Sequence, residues 1–319
     1  MKKPVKALLV ALLLLFVTGA TVYCWFPGLI FEALIHVQRW RSGLERHEIQ
    51  VDDHQLVYLE GGKGETILFV HGFGTDKDSW ATFLPAFSGS YRLIVPDLPG
   101  FGETSGPDTA GYDIPSQVKR FARFIDTAGL DSFHLIGVSM GGYISAYYAS
   151  EYPEKVQSLT LIDTAGVTSR IPSHIWQRYK TDGEILLLYR TPEQFDRFLS
   201  ALFHHPPFIP LRFKEYFAER GARNYDYHKK ILNQMVDGGM NLLESRLPRI
   251  RARTLLIWGK DDRIIHVSSV EKFKKGIKDC RTVIMDNCGH VPYLECPEKS
   301  KQAYREFLGS SHFDTATGR

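Results

Sequence analysis

From about Glu48 onward the chain alternates short apolar runs with longer segments whose apolar positions recur at helical spacing. "EIQV" and "LVYLE" read as a hairpin pair of strands, "TILFV" (Thr66–Val70) as a buried strand, and "RLIVPD" as another, followed by the turn "LPGFGETS". "SQVKRFARFIDTAG" sets Val118, Phe121, Phe124 and Ile125 on one helical face, with Gly129 suited to its end. "FHLIGV" then reads as a strand, Met140 to about Glu151 as a helix, and "SLTLID" (Ser158–Asp163) as the next strand. No strand pattern follows from Thr164 to about Leu247. "TLLIWG" (Thr254–Gly259), a helix near Ser268–Lys275, "RTVIMD" (Arg281–Asp286) and a helix after Pro297 complete the series. Strands separated by helices predict an α/β protein with a mostly parallel central sheet and helices on both faces. The strandless segment is expected to form a helical insertion over one end of that sheet.

The N-terminus follows a different pattern. Met1 to Lys6 carries three lysines, and Ala7 to Phe31 holds no charged residue. Such a run is long enough to cross a hydrocarbon core of ~30 Å, and Trp25 and Phe26 stand near its far end. A cleaved signal peptide would have a shorter apolar region and a small-x-small site, which Thr18-Gly19-Ala20 matches only weakly. The expectation is an uncleaved transmembrane anchor over residues 1–31. Residues 32–47 follow as a linker or an amphipathic helix lying at the interface. Lys2, Lys3 and Lys6 on one side nearly balance Arg39, Arg41 and Arg46 on the other. In a bacterial cell this segment would sit in the inner membrane, with the globular part expected on the periplasmic side.

Composition narrows the class. The 319 residues are 44% apolar and 24% charged, ordinary for a globular protein with a buried core. A net charge of +3 gives no argument for nucleic acid. Cys24 lies in the apolar segment, while Cys280, Cys288 and Cys296 cluster near the C-terminus. One bridge among those three is possible, and no C-x-x-C pair suggests zinc.

Candidate chemistry begins at Gly137-Val138-Ser139-Met140-Gly141, which fits G-x-S-x-G between a strand and a helix. The flanking glycines relieve clashes at a sharp bend, and the helix start favours developing negative charge beside Ser139. A serine nucleophile needs a base, and the base needs an orienting acid. "WGKDDRIIH" supplies Asp262 just after a strand, with Asp261 as its surface neighbour. "NCGHVPYLECPE" supplies His290 in a turn after the last strand, chosen from twelve histidines because Gly289 and Pro292 mark a loop there. Asp163 is the rival acid, since it too ends a strand. Backbone N–H groups of Phe73, in the turn His71-Gly72-Phe73-Gly74, and of Met140 are the expected oxyanion donors. His71 reads as a structural histidine hydrogen-bonding that turn.

In that order "HGFG", "PDLPGFGETS", "GVSMGG", "WGKDDRII" and "GHVPYLECPE" resemble the α/β-hydrolase superfamily, over roughly Leu56 to Phe307. "QVKRFARFI", "FHLIGVSMGG" and "LTLIDTAGV", with "HHPPFIP" in the insertion, further resemble its monoacylglycerol-lipase-like branch and related cold-active bacterial lipases, several of which carry an N-terminal membrane segment. The resemblance implies the α/β-hydrolase fold, a triad of Ser139, Asp262 and His290, and an ester substrate with an acyl chain, without metal or organic cofactor. Haloalkane dehalogenases and epoxide hydrolases place an aspartate at the nucleophile position, so Ser139 argues against both. Serine C–C-bond hydrolases of aromatic degradation share the "SMGG" elbow and stay open, as does a soluble-substrate carboxylesterase. A non-catalytic binding protein would have no need of the full set of nucleophile, acid, base and oxyanion turn.

The expected organisation is a catalytic core over 48–163 and 248–309, a helical cap or lid over 164–247, and a tail over 310–319. The cap is rich in large apolar residues, with Phe195, Phe198, Phe203, Phe208, Phe213 and Phe217 recurring through it. They suit helices that bury one face on the core and an inner face that lines an acyl pocket. "HHPPFIP" must be a loop, because prolines interrupt any helix there. The expected activity is hydrolysis of acyl glycerol esters, with the anchor holding the site near its lipid substrate.

Overall fold

The computed structural model describes residues 3–104, 106–107 and 109–310. Met1, Lys2, the last residue of "LPGFGETS" and the tail from 311 onward lie outside the described residues. Eight strands form one sheet in the order β1-β2-β4-β3-β5-β6-β7-β8. They are β1 (Leu44–Val51), β2 (His54–Gly61), β3 (Thr66–Val70), β4 (Arg92–Pro96), β5 (Phe133–Val138), β6 (Val156–Ile162), β7 (Arg253–Gly259) and β8 (Cys280–Met285). β2 pairs antiparallel with β1 and β4, and all other pairings are parallel. β1 starts at Leu44, inside the segment expected to be a linker, because Gly43 turns the chain at φ 61° and Leu44 is buried in the core.

Parallel strands must be covered on both faces, and β5 is accordingly buried at every position. On one face lie α3 (Ile114–Thr127), α4 (Met140–Glu151) and α8 (Val270–Gly276), through Val118, Phe121, Tyr143, Ile144 and Phe273. On the other, Trp80, Phe83 and Phe87 pack with Tyr304 and Phe307 of α10 (Pro297–Gly309). The apolar spacing of 118, 121, 124 and 125 thus becomes the buried face of α3, which Asp113 caps by accepting the Ser116 N–H at 2.9 Å.

Between β6 and β7 the chain forms α5 (His174–Asp182), α6 (Pro192–Leu202) and the 27-residue α7 (Leu211–Asp237). A short α9 (Pro292–Glu295) precedes α10. "HHPPFIP" lies outside the helices, between α6 and α7.

The N-terminal segment departs from the single anchor expected. The apolar run is split into α1 (Lys3–Trp25) and α2 (Pro27–Arg41), whose axes differ by 101°. Pro27 opens α2 at its first turn and its ring disfavours helical geometry at Phe26, which sits at φ −136°, ψ 52°. No single helix among the described residues is long and apolar enough to cross a membrane, although the bent pair qualifies when both helices are taken together. α2 packs against the insertion instead of leading away from it. Phe31 meets Phe217 edge-on at 5.1 Å, and Gly28 has the Tyr216 ring against it.

Candidate active site

β5 ends at Val138, and α4 begins at Met140, so Ser139 alone makes the bend, at φ 55°, ψ −118°. Few residues with a Cβ adopt such a conformation, and strain of this kind persists only where packing enforces it. A side chain on Gly137 would run into the Gly141 carbonyl, and one on Gly141 into the carbonyls of Val70 and His71. Every residue from Phe133 to Ser150 is buried except Ser139, which is half-exposed. The fold therefore spends a strained backbone on presenting one hydroxyl.

His290 follows β8 in the turn ahead of α9, and Asp262 follows β7. His290 Nδ1 lies 2.8 Å from Asp262 Oδ2, and both side chains are buried. Asp262 Oδ1 accepts the N–H groups of Ile264 and Ile265 at 2.7 and 2.9 Å, which fixes the orientation of the carboxylate. Asp261 points elsewhere, toward His204 Nδ1 at 3.2 Å, and is more exposed.

The turn after β3 lies against this bend, since a Cβ on Gly72 would stand 3.4 Å from Ser139 Cβ. Neither the Phe73 nor the Met140 N–H meets an acceptor among the described residues. Two free donors beside an exposed hydroxyl can receive an anionic oxygen. His71 holds the turn as expected: Leu98 N–H donates to its Nε2 at 2.9 Å, leaving Nδ1 to donate to the Gly72 carbonyl at 2.8 Å. Complete burial pushes its pKa below the usual histidine value, in keeping with a neutral ring.

Sequence reasoning missed three residues. Glu295 accepts the N–H groups of Gly289, His204 and His205 at 2.6, 3.1 and 2.7 Å, pinning the cap loop to the His290 turn. The same union is made by His290 N–H donating to the Leu202 carbonyl at 2.8 Å. Arg220 of α7 reaches Asp76 at 2.8 Å, beside the oxyanion turn. His228, also on α7, lies over Phe73 and Phe101 with ring centroids 5.9 and 5.2 Å away. Arg220 and His228 act only across long sequence separations, so no local pattern marks them. Glu295 also reaches Gly289, six residues away, and its position within "YLECPE", next to the candidate base, is the one local signal.

Cys288 and Cys296 are bridged, so a covalent loop encloses His290. Among the described residues Cys24 and Cys280 are free. Asp163, the rival acid, is buried in contact with the Asp262–His290 pair: one ligand atom from each of the three lies within 4.8 Å of the others. That spacing suits a small cation, but His290 Nδ1 is already engaged by Asp262, which favours acid–base chemistry at this cluster.

Residues 65–297 match the family model described as the alpha/beta hydrolase fold. Lipase 1 of Psychrobacter immobilis is 34% identical over 285 residues, covering 86% of this chain and 88% of the lipase. Human monoacylglycerol lipase ABHD6 is 29% identical over 297 residues, covering 88% of each. Among solved structures, a membrane phospholipase A described as a bacterial virulence factor superposes with a TM-score of 0.85 at 40% identity, over 95% of this chain and 98% of that one.

Proposed function

The chain belongs to the α/β-hydrolase family, and from that membership and the geometry around Ser139 we propose that it cleaves acyl glycerol esters by way of an acyl-enzyme on that serine. It is a carboxylic ester hydrolase of the lipase type. Monoacylglycerol is the substrate class we favour, since monoacylglycerol lipases are among its relatives. The observation that carries the catalytic reading is the 2.8 Å contact between His290 Nδ1 and Asp262 Oδ2, taken with the strained bend at Ser139, whose N–H donates to the Ile162 carbonyl one residue before Asp163.

In this reading His290 Nε2 takes the Ser139 proton as Oγ attacks the ester carbonyl carbon. Asp262 holds the imidazole in the tautomer that leaves Nε2 basic, and stabilises the imidazolium that forms. The N–H groups of Phe73 and Met140 receive the oxyanion, a pair whose single members are each worth ~10²–10³ in rate. His290 then protonates the departing alcohol, and water repeats the sequence on the acyl-enzyme to release the fatty acid. These steps need only the chain's own residues and water.

The N-terminal pair supports contact with a lipid surface. On α2, Leu29, Val37 and Trp40 are exposed on one side, Trp40 by 80%, with the exposed Phe26 just before the helix, while Phe31 faces α7. Phe208 and Leu211 of the cap, near the start of α7, are exposed as well. An apolar stripe of this kind seats a helix in the plane of a bilayer surface. The bridge Cys288–Cys296 favours an oxidising compartment, the periplasm in a bacterium, for the catalytic domain. Cosedimentation of the full chain with phospholipid vesicles tests the seat. Replacing Val37 and Trp40 with glutamate is expected to weaken binding by about tenfold or more; unchanged binding removes α2 from the contact.

The function itself is tested by kcat/KM of the full chain on monoacylglycerols and p-nitrophenyl esters of increasing acyl length, beside Ser139→Ala. We expect turnover of long acyl chains that falls by about 10⁶ in the variant. Equal activity in both proteins refutes the nucleophile, and activity confined to short or aromatic esters refutes the lipid substrate.

A further inference from the structure

Asp163 lies against the Asp262–His290 pair, and the reaction above does not use it. It follows β6 at φ 42°, a strained value for a residue with a side chain, and is completely buried. Its Oδ1 accepts the Gly259 N–H at 2.9 Å, whereas Oδ2 is buried with no donor to meet it. A buried carboxylate oxygen facing no donor is costly if the group is ionised. The oxygen is satisfied if it carries a proton and has an acceptor in reach, and the Asp262 carboxylate lies within 4.8 Å.

The donors decide which of the two keeps the proton. Asp262 receives two backbone N–H groups on Oδ1 and the imidazole N–H on Oδ2. Asp163 receives one N–H in all. Two buried carboxylates this close do not both ionise, and the better-solvated one takes the charge. Among the described residues, the other titratable groups that face Asp163 include His290, Glu295 and the Tyr293 hydroxyl, and the acidic Glu295 also disfavours a second negative charge.

We propose that Asp163 is a positioning residue: a neutral carboxylic acid that donates its proton to the Asp262 carboxylate, so that the two side chains share a single negative charge behind His290. The proposal rests on the reading of Asp262 and His290 as acid and base. Burial and the nearby Asp262 charge push the Asp163 pKa well above the usual carboxylate value, in line with this geometry. The bond locks Asp262 against rotation and spares His290 a second carboxylate charge. It also supplies a reserve acid if Asp262 is lost.

Infrared difference spectroscopy of the full chain at neutral pH, wild type against Asp163→Asn, reads the proton directly. The expected result is the carbonyl band of a protonated, hydrogen-bonded carboxylic acid in the wild type that disappears in the variant. Absence of that band overturns the proposal. Should Asp163→Asn fail to fold, labelling wild-type aspartate with ¹³C at the side-chain carboxyl must shift the band, and Asp262→Asn must displace it.

Kinetics gives an independent readout. With a neutral Asp163, Asp163→Asn, whose amide can donate to Asp262 in the acid's place, leaves the acidic limb of the pH profile of kcat/KM in place. Were Asp163 ionised, removing a negative charge within 4.8 Å would move that limb down by about one unit or more, and the proposal would fail. As reserve acid, Asp163 should leave Asp262→Asn at least about tenfold more active than the double variant; equal activities overturn the pairing. The infrared band is independent of turnover, so a Ser139→Ala variant with full activity would remove the proposed function and leave this proposal standing.

Discussion

Arg39, in the last turn of α2, grips Asp78 with two nitrogens, Nε to Oδ1 at 2.7 Å and Nη2 to Oδ2 at 2.5 Å. Asp78 is one of three successive side chains that each hold a different part of the molecule. Asp76 takes Arg220 from the cap, and Lys77 is buried between Asp97 and Glu103 at 2.7 Å from each. Together they anchor the segment that follows the turn at residues 71–74.

Lys77→Met is expected to be far more damaging than Arg39→Ala. Removing the buried ammonium leaves Asp97 in a site whose burial already raises its pKa, and breaking such a pair costs about 3–5 kcal/mol. The Arg39–Asp78 pair is partly exposed, and its loss should cost about 1 kcal/mol. Urea titration of the full chain checks the order, and equal midpoints for the two variants would contradict it.

Acid should weaken the fold through buried histidines. Burial, with Arg220 nearby, lowers the His228 pKa to about 4, below its unfolded value of about 6.5. The unfolded chain then binds more protons between those values. Stability begins to fall as pH drops below about 6.5, and the loss from this group is complete near pH 4, amounting to about 3 kcal/mol. His71 and His134 are shifted the same way, by burial, so His228→Leu should reduce the slope without abolishing it. Thermal unfolding from pH 7 to 4 reads the difference, and identical slopes would refute it.

The Cys288–Cys296 bridge closes a short loop around His290. Paired Cys288→Ser and Cys296→Ser replacements are expected to cost about 2–3 kcal/mol. Glu295 holds Gly289 to the same turn by a 2.6 Å hydrogen bond, so the loop keeps a second tether. Activity at low temperature should therefore fall by less than about tenfold in the bridge variant, and by more once Glu295→Ala is added. A bridge variant that is fully inactive while folded would show that Glu295 cannot hold the base alone.

The elbow was legible because its constraint is local: Gly137 and Gly141 stand where any Cβ meets a carbonyl, so residue type reports backbone geometry directly. The helical face of α3 was legible from period, and the parallel strands as short apolar runs. By contrast, α4 is buried all round and was legible only as the helix that follows the elbow. Lipase relatives and the family match agree with the expectation of an α/β-hydrolase ester hydrolase. The N-terminal break was readable too, since Pro27 interrupts the apolar run, but hydropathy over a window averages a single proline away. Glu295, His228 and the burial of Asp163 against Asp262 depend on partners far along the chain. No periodicity carries such information.

α7, about 40 Å long at 1.5 Å per residue, bears the rings that receive Phe31 and also the imidazole that rests over Phe73. The helical insertion and α2 therefore pack as one unit. An insertion transplanted alone between relatives would arrive with those rings uncovered, and residues 27–41 should travel with it as a single unit of exchange.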